Sequence, residues 1–226
     1  MHHAWLLNLP RTDYVKALEL QHACVSARKQ GRLDRDLVIL LEHPPVFTLG
    51  RRGGLGNLLI PKDHLEQKGI DIMPIERGGD ITYHGPGQLV GYLIIDLKAA
   101  RMGIIDLVGA LESAMADTAR CWGLQVRGNE RYRGAWVGNR KLGSIGLTIR
   151  RGITFHGMAL NVNTDLTPFS WINPCGIEGC AMTSLAKETG RSISMEDVRR
   201  QLVRQVEKQL DMSLSSITLD AIKGMA

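Results

Sequence analysis

Aromatic side chains are scarce in this chain, only 5% of its 226 residues. Proteins that grip single-stranded nucleic acid need stacked aromatic platforms beside a basic groove. Here the aromatics are few and the basic residues are scattered, so nucleic acid is not an expected partner. Arginine and lysine outnumber aspartate and glutamate by 28 to 23, a net charge of +5. That surplus is a mild bias toward acidic protein partners. No apolar run approaches the roughly 18 residues that a membrane helix needs. The first ten residues, from Met1 to Pro10, carry no basic leader and only a short apolar stretch, so a cytoplasmic location is expected and a membrane is not. The four cysteines, Cys24, Cys121, Cys175 and Cys180, lack the CxxC or Cys/His spacing of a zinc site. In a reducing compartment they are expected as free thiols. Cys24 and Cys121 fall on predicted amphipathic helices and read as small buried hydrophobes.

Hydrophobic residues make up 44% of the chain, enough for a sizeable core in one domain spanning residues 1–226. Leu6 to Leu9 reads as a short strand, with Thr12 capping a helix from about Asp13 to Gln30. Leu37 to Leu41 is apolar at every position, as in a strand buried on both faces. Val46 to Leu49 is a second short strand, Gly50 to Gly56 a flexible loop, Pro61 to Lys68 a short helix and Ile70 to Ile75 a strand. Leu89 to Leu97 is a further core strand. Gly103 to Trp122 is the clearest helix, with Ile104, Leu107, Val108, Leu111, Met115 and Ala119 on one stripe. Strands follow near Gln125, at Gly134–Val137 and at Lys141–Ile149, with Gly138-Asn139 as a hairpin turn, then at Ile153–Val162. Ser194 and Asp197 form a capping-box pattern at the start of a helix that runs to about Leu210. Strands and helices mix without strict alternation. The fold class is therefore α+β, a single domain with a large, mostly antiparallel or mixed sheet flanked by helices.

Between Arg77 and Leu89 the pattern breaks. Five of these thirteen residues are glycine or proline, so the run makes a poor core strand. Arg77, Thr82, Tyr83, His84 and Gln88 place donors and acceptors around a bent backbone that suits a held ligand. A second irregular stretch, Asn173-Pro174-Cys175-Gly176, sets a cysteine in a turn and off any apolar stripe, where a thiol can serve as a nucleophile. A free thiol is only about 3% ionised at pH 7, so a neighbouring base is needed. His84, His156 and Lys141 are the candidates. Lys141 precedes a nearly charge-free run, Leu142 to Leu147, where a partly desolvated amine suits proton transfer. Ser144 and Gly146, then Gly157 and Ala159 on the next strand, are small enough for an apolar ligand to lie over them. Strict alternation would turn Lys141 away from Ser144 and Gly146, a conflict that either a strand starting after Lys141 or a bulge would resolve.

Several blocks together carry a resemblance. Glu42 to Arg51, Arg77 to Leu89, Arg140-Lys141-Leu142-Gly143-Ser144-Ile145-Gly146, Phe155 to Val162 and Asn173-Pro174-Cys175-Gly176 resemble, in order, the motifs of the lipoyl(octanoyl) transferases. The resemblance covers roughly residues 5 to 210. It implies a fold similar to the catalytic domain of biotin and lipoate protein ligases, and an acyltransferase with a Cys/Lys dyad. Cys175 would take the octanoyl group from the phosphopantetheine of acyl carrier protein. Lys141 would favour the thiolate and shuttle protons. A lysine of a lipoyl domain, in the 2-oxoacid dehydrogenase complexes or the glycine cleavage H protein, would accept the chain in the first step of endogenous lipoate synthesis. Arg77, Gly78, Gly79, Asp80, Ile81, Thr82, Tyr83 and His84, with Ser144, Ile145, Gly146, Gly157, Met158 and Ala159, would surround the substrate. His84 then organises the site rather than acting as the base. No cofactor or metal is expected, because thioester exchange is balanced and transfer to an amine is downhill. The rival reading, an ATP-dependent ligase, would use Gly50 to Gly56 to cradle a phosphate but has no need of Cys175. A second rival, a catalytically silent carrier-binding protein, has no use for the Cys175–Lys141 pair.

Overall fold

The computed structural model of the chain describes residues 2–129 and 131–226. Strand β1 (His2–Arg11) leads into helix α1 (Tyr14–Lys29), then strands β2 (Asp36–Glu42) and β3 (Val46–Leu49). Helix α2 (Lys62–Gln67) and strands β4 (Asp71–Pro74), β5 (Ile81–His84) and β6 (Gln88–Ile94) follow. Helix α3 (Ile104–Arg120) precedes β7 (Val126–Arg127), β8 (Ala135–Val137), β9 (Arg140–Arg150) and β10 (Ile153–Asn161). Helices α4 (Leu185–Thr189) and α5 (Met195–Gln209), strand β11 (Met212–Ser216) and helix α6 (Leu219–Met225) complete the chain.

Eight strands form one mixed sheet in the order β11-β1-β2-β6-β10-β9-β8-β7, and β4-β3-β5 form a second, small sheet. Only the β11-β1-β2 end of the large sheet is parallel. The continuous apolar run of β2 divides between two cores. Val38 and Leu40 join α3 and α5 on one face, while Leu37, Ile39 and Leu41 join α1 and α6 on the other. A third core, built from Phe47, Leu65, Ile81, Tyr83, Phe169, Ile172 and Met182, lies under the small sheet. Fully burying each such side chain contributes about 1.5–3 kcal/mol, so three separate cores fix the two sheets in place. Among the described residues, no helix is long and apolar enough to cross a membrane.

Three sequence expectations need correction, and two elements went unread. The cap of α1 is Asp13, whose carboxylate accepts from the amides of Val15 and Lys16 at 2.9 and 3.2 Å. Thr12 instead donates its hydroxyl to the Pro10 carbonyl. Ile81–His84, inside the run discounted as a strand, is a fully buried strand, because pairing with β3 satisfies its backbone despite the flanking glycines. Cys121 is exposed, since α3 ends just before it, whereas Cys24 is buried and its thiol is pushed up to about 12 by desolvation. Strand β11 and helix α6 were not anticipated; β11 adds to the β1 edge in parallel.

Candidate active site

A cavity of about 310 Å³ lies where the first two cores approach each other, with Met158 and Ile145 of one and Val90 and Ala159 of the other on its wall. Lys141 reaches it from the large sheet. Of the two alternatives the bulge is present and the late strand start is not: β9 begins at Arg140, and Trp136 pairs with Lys141 but Ala135 with Gly143, so one extra residue enters β9 and turns the lysine toward the cavity. Beyond the bulge, Ser144 to Leu147 pair with Ala159 to His156 of β10 and line the cavity. Segment Ala181–Thr183 takes the place of β10 beside Lys141, with the lysine amide donating to Ala181 O at 2.8 Å and its carbonyl accepting from Thr183 N at 2.9 Å. Gly134 makes room for the side chain. A Cβ there would sit 3.1 Å from Lys141 Cε and strike the Gly143 carbonyl, and its φ is +136°. Lys141 is only 2% exposed, with its ammonium over the Trp136 ring.

Cys175 arrives on irregular backbone. Its φ of 60° and ψ of 21° are left-handed, a conformation that costs a non-glycine residue about 1–2 kcal/mol. Gly176 follows with φ of +69°. The result is a contact of 3.5 Å between Lys141 Nζ and Cys175 Sγ. A thiol within reach of a buried amine is the arrangement that proton exchange and nucleophilic attack require. Arg77 adds a second cation within electrostatic reach of Cys175. Its guanidinium is buried and donates to the carbonyl and hydroxyl of Thr48 and to Gly78 O.

Behind the dyad lie three buried histidines, all neutral. His84 donates from Nδ1 to Gln88 Oε1 at 2.7 Å, because Gln88 Nε2 is committed to Tyr83 O and Asn161 Oδ1. Asn161 in turn donates Nδ2 to Thr183 O. The His84 Nε2 is therefore an unprotonated acceptor, and burial together with the neighbouring His43 lowers its pKa to about 3. His43 donates from Nδ1 to Thr12 O, so Tyr92 must donate its hydroxyl to His43 Nε2 at 2.6 Å. Burial lowers the pKa of His43 to about 4. His156 is lowered to about 3 by burial, and both its ring nitrogens are buried without a hydrogen-bond partner among the described residues.

Of the residues expected around the substrate, Arg77, Gly78, Gly79, Thr82, His84, Ser144, Ile145, Gly146, Gly157, Met158 and Ala159 line the cavity, as do Lys141 and Cys175. Asp80, Ile81 and Tyr83 do not: Ile81 and Tyr83 point into the third core, and Asp80 turns toward Asn57. Sequence reasoning missed Tyr14 and Tyr92, which sit on the cavity wall, and the rim arginines Arg52, Arg131 and Arg133. It also left Ile104 and Val108 as core, although their i,i+4 spacing marks the face of α3 that borders the cavity. The first half of the Gly50–Gly56 loop has no free amides with which to cradle a phosphate. The amides of Gly50, Arg51, Arg52 and Gly53 are spent on the carbonyls of Asp80, Arg77, Gly79 and Gly50.

Comparison with known proteins places the whole chain in a family and a fold. The lipoyl protein ligase A/B catalytic domain matches residues 13–207. An octanoyltransferase from Desulfotalea psychrophila is 50% identical over 202 residues, covering 88% of this chain and 91% of that protein. The bipartite lipoate protein ligase of Thermoplasma acidophilum superposes with a TM-score of 0.78 at 18% identity, over 100% of this chain and 91% of that one. A biotin protein ligase variant from Aquifex aeolicus, with biotin, gives 0.52 at 13% identity over 92% and 70%. At such identities the two structures share the fold alone. The family match and the close octanoyltransferase relative settle membership: the chain belongs to the octanoyltransferase family of the lipoyl protein ligase A/B catalytic domain.

Proposed function

We propose that the protein moves an octanoyl group from acyl carrier protein to a lysine of a lipoyl domain, through a thioester on Cys175. The observation that carries this reading is the 3.5 Å contact between Cys175 Sγ and Lys141 Nζ at a cavity walled by small and apolar residues. The Cys175 thiolate attacks the thioester carbonyl, and the carbon–sulfur bond to pantetheine breaks. The departing pantetheine sulfur takes the proton that Lys141 received from Cys175. In the second half, the acceptor lysine amine attacks the acyl-cysteine, the Cys175 thiolate leaves, and Lys141 removes the amine proton. Nothing is oxidised or reduced, and neither nucleotide nor metal is consumed.

Binding supports the same substrate. Val90, Ile104, Val108, Ile145, Leu147 and Met158 supply an apolar wall. Burying about six methylenes there contributes roughly 5 kcal/mol. Adjacent chain lengths differ by only about 1–3 kcal/mol, so selectivity among them is modest. The rim arginines and the net charge of +5 suit acidic carrier and lipoyl domains. The test is an intact-mass measurement after incubation with octanoyl-carrier protein. The wild type is expected to gain one octanoyl group, and Cys175→Ala none. A wild-type protein that transfers octanoate while never carrying an adduct sinks the covalent route.

A further inference from the structure

The loop that carries Cys175 contains two successive left-handed residues, and something must hold that conformation against its cost. The holding contacts converge on Asn57, at the end of the short 3₁₀ turn Leu55–Asn57. The Asn57 carbonyl accepts from the Asn173 amide at 2.9 Å. Its side-chain Oδ1 accepts from Asn173 Nδ2 at 3.3 Å, and its Nδ2 donates to Asp80 Oδ2 at 2.7 Å. Asp80 Oδ1 is fixed by the amide of Ile81 at 2.6 Å, so the carboxylate cannot swing away. On the far side, Asn173 O accepts from Gly176 N at 2.9 Å, which closes the turn around Cys175. A Cβ on Gly176 would lie 2.8 Å from Asp80 Oδ2, so the same carboxylate braces the turn directly. Outside these bonds, Leu58 pairs with Ile172 and Leu59 N donates to Trp171 O, which docks the two segments as a short ladder.

We infer that Asn57 and Asp80 form a clasp that positions Cys175 against Lys141, a role resting on Cys175 being the nucleophile. Asn57 is a positioning residue that touches neither substrate nor the reacting atoms. Its amide is the central link because it donates to Asp80 while accepting from Asn173. An aspartate at position 57 would set two carboxylates against each other. Reversing the pair restores complementarity: with Asn57→Asp and Asp80→Asn together, the new amide donates to the new carboxylate, and the bonds to Asn173 Nδ2 and Ile81 N survive.

The test is that exchange. Asn57→Asp is expected to slow single-turnover acylation by octanoyl-carrier protein about 30-fold, with KM within about twofold, because misplacing a reacting atom acts on the rate constant. The Asn57→Asp/Asp80→Asn double variant is expected to recover to within about threefold of wild type, a coupling that two independent sites do not show. Alkylation of Cys175 by iodoacetamide, followed on its peptide by mass spectrometry, is expected to fall and recover in parallel, since it reports thiol reactivity without any acyl donor. Circular dichroism melts confirm that each variant is folded at the assay temperature. Wild-type alkylation in Asn57→Asp, or a double variant no more reactive than that single one, overturns the clasp. Alkylation that follows the pattern while octanoyl-carrier protein acylates no variant upholds the clasp and rejects the acyl donor instead.

Discussion

Lys141 and Cys175 lie 3.5 Å apart and are held by opposite means. The lysine sits in a sheet, where its own amide and carbonyl are hydrogen-bonded to Ala181 and Thr183 and a bulge in β9 sets its direction. Those bonds belong to the backbone and survive most changes of neighbouring side chains. The cysteine sits on a left-handed turn whose restraints include the side chains of Asn57, Asn173 and Asp80. One half of the dyad thus depends on topology, the other on the chemistry of particular residues. Under the mechanism proposed above, the division suits a nucleophile that changes its covalent state twice per turnover beside an amine that only exchanges protons.

Removing the amine itself is the largest test of the lysine side. Lys141→Ala is expected to slow single-turnover acylation by about 10²- to 10⁴-fold, the range for losing a positioned proton-transfer group. Because the backbone bonds of residue 141 persist, the melting temperature is expected to move far less than the rate. A Lys141→Ala variant that acylates at the wild-type rate across pH 6–9 removes the amine from the mechanism. Next comes Gly134→Ala, which attacks the seat rather than the group. The new methyl meets the Gly143 carbonyl at a φ that disfavours any side chain, so a loss of about 2–4 kcal/mol in urea unfolding is expected, together with slower acylation. Stability unchanged by this substitution means that the bulge can relax, and the lysine side is then less rigid than its hydrogen bonds imply.

The sequence exposed the two sides unequally. The α3 stripe and the β10 run were legible because period and burial agree, and the conflict between Lys141 and the small residues after it flagged an irregularity there without choosing between a bulge and a later strand start. Strand β5 was hidden because its glycine-rich flanks outweigh four residues of strand propensity, and only pairing with β3 decides the matter. Strand β11, Met212-Ser213-Leu214-Ser215-Ser216, is short and serine-rich, so its pairing along β1 leaves almost no local signal. Cys175 was legible as a turn cysteine, but its left-handed φ and its clasp were not. Asn57 lies 118 positions away, just past the Gly50–Gly56 loop read as flexible, and nothing in its own neighbourhood marks it. Tyr14 was not singled out and Tyr92 was read only as part of a core strand, since polar function inside a core comes from what a hydroxyl faces rather than from spacing.

Acid distinguishes the two sides by a different route. His43, His84 and His156 are buried and neutral, with folded pKa values of about 4, 3 and 3. In the unfolded chain each titrates near 6.5. Below that value the unfolded state binds protons that the folded state refuses, so stability is intact above about pH 6.5 and falls as the pH drops toward 4. Each histidine contributes a slope of about 1.4 kcal/mol per pH unit in that window. His84 is tied through Gln88 and Asn161 to Thr183, which holds the Lys141 carbonyl. Replacing His84 with glutamine is expected to reduce the slope between pH 6 and 4.5 by about one proton's worth. An unchanged slope places the titration elsewhere.

The smallest effect expected is the most discriminating. Asn161 reaches Lys141 only indirectly, through its bond to Thr183 O, while Thr183 N and Ala181 O hold the lysine backbone themselves. Asn161→Ala leaves Gln88 Nε2 with Tyr83 O as its remaining acceptor and removes the donor to Thr183. A buried hydrogen bond lost in this way costs about 1–2 kcal/mol, which urea unfolding resolves. The acylation rate constant is expected to stay within about threefold of wild type, since a backbone-held group does not shift when one outlying side-chain bond is cut. If Asn161→Ala slows acylation as much as Asn57→Asp does, the lysine depends on side chains no less than the cysteine does, and the contrast between a topologically held amine and a chemically held thiol collapses.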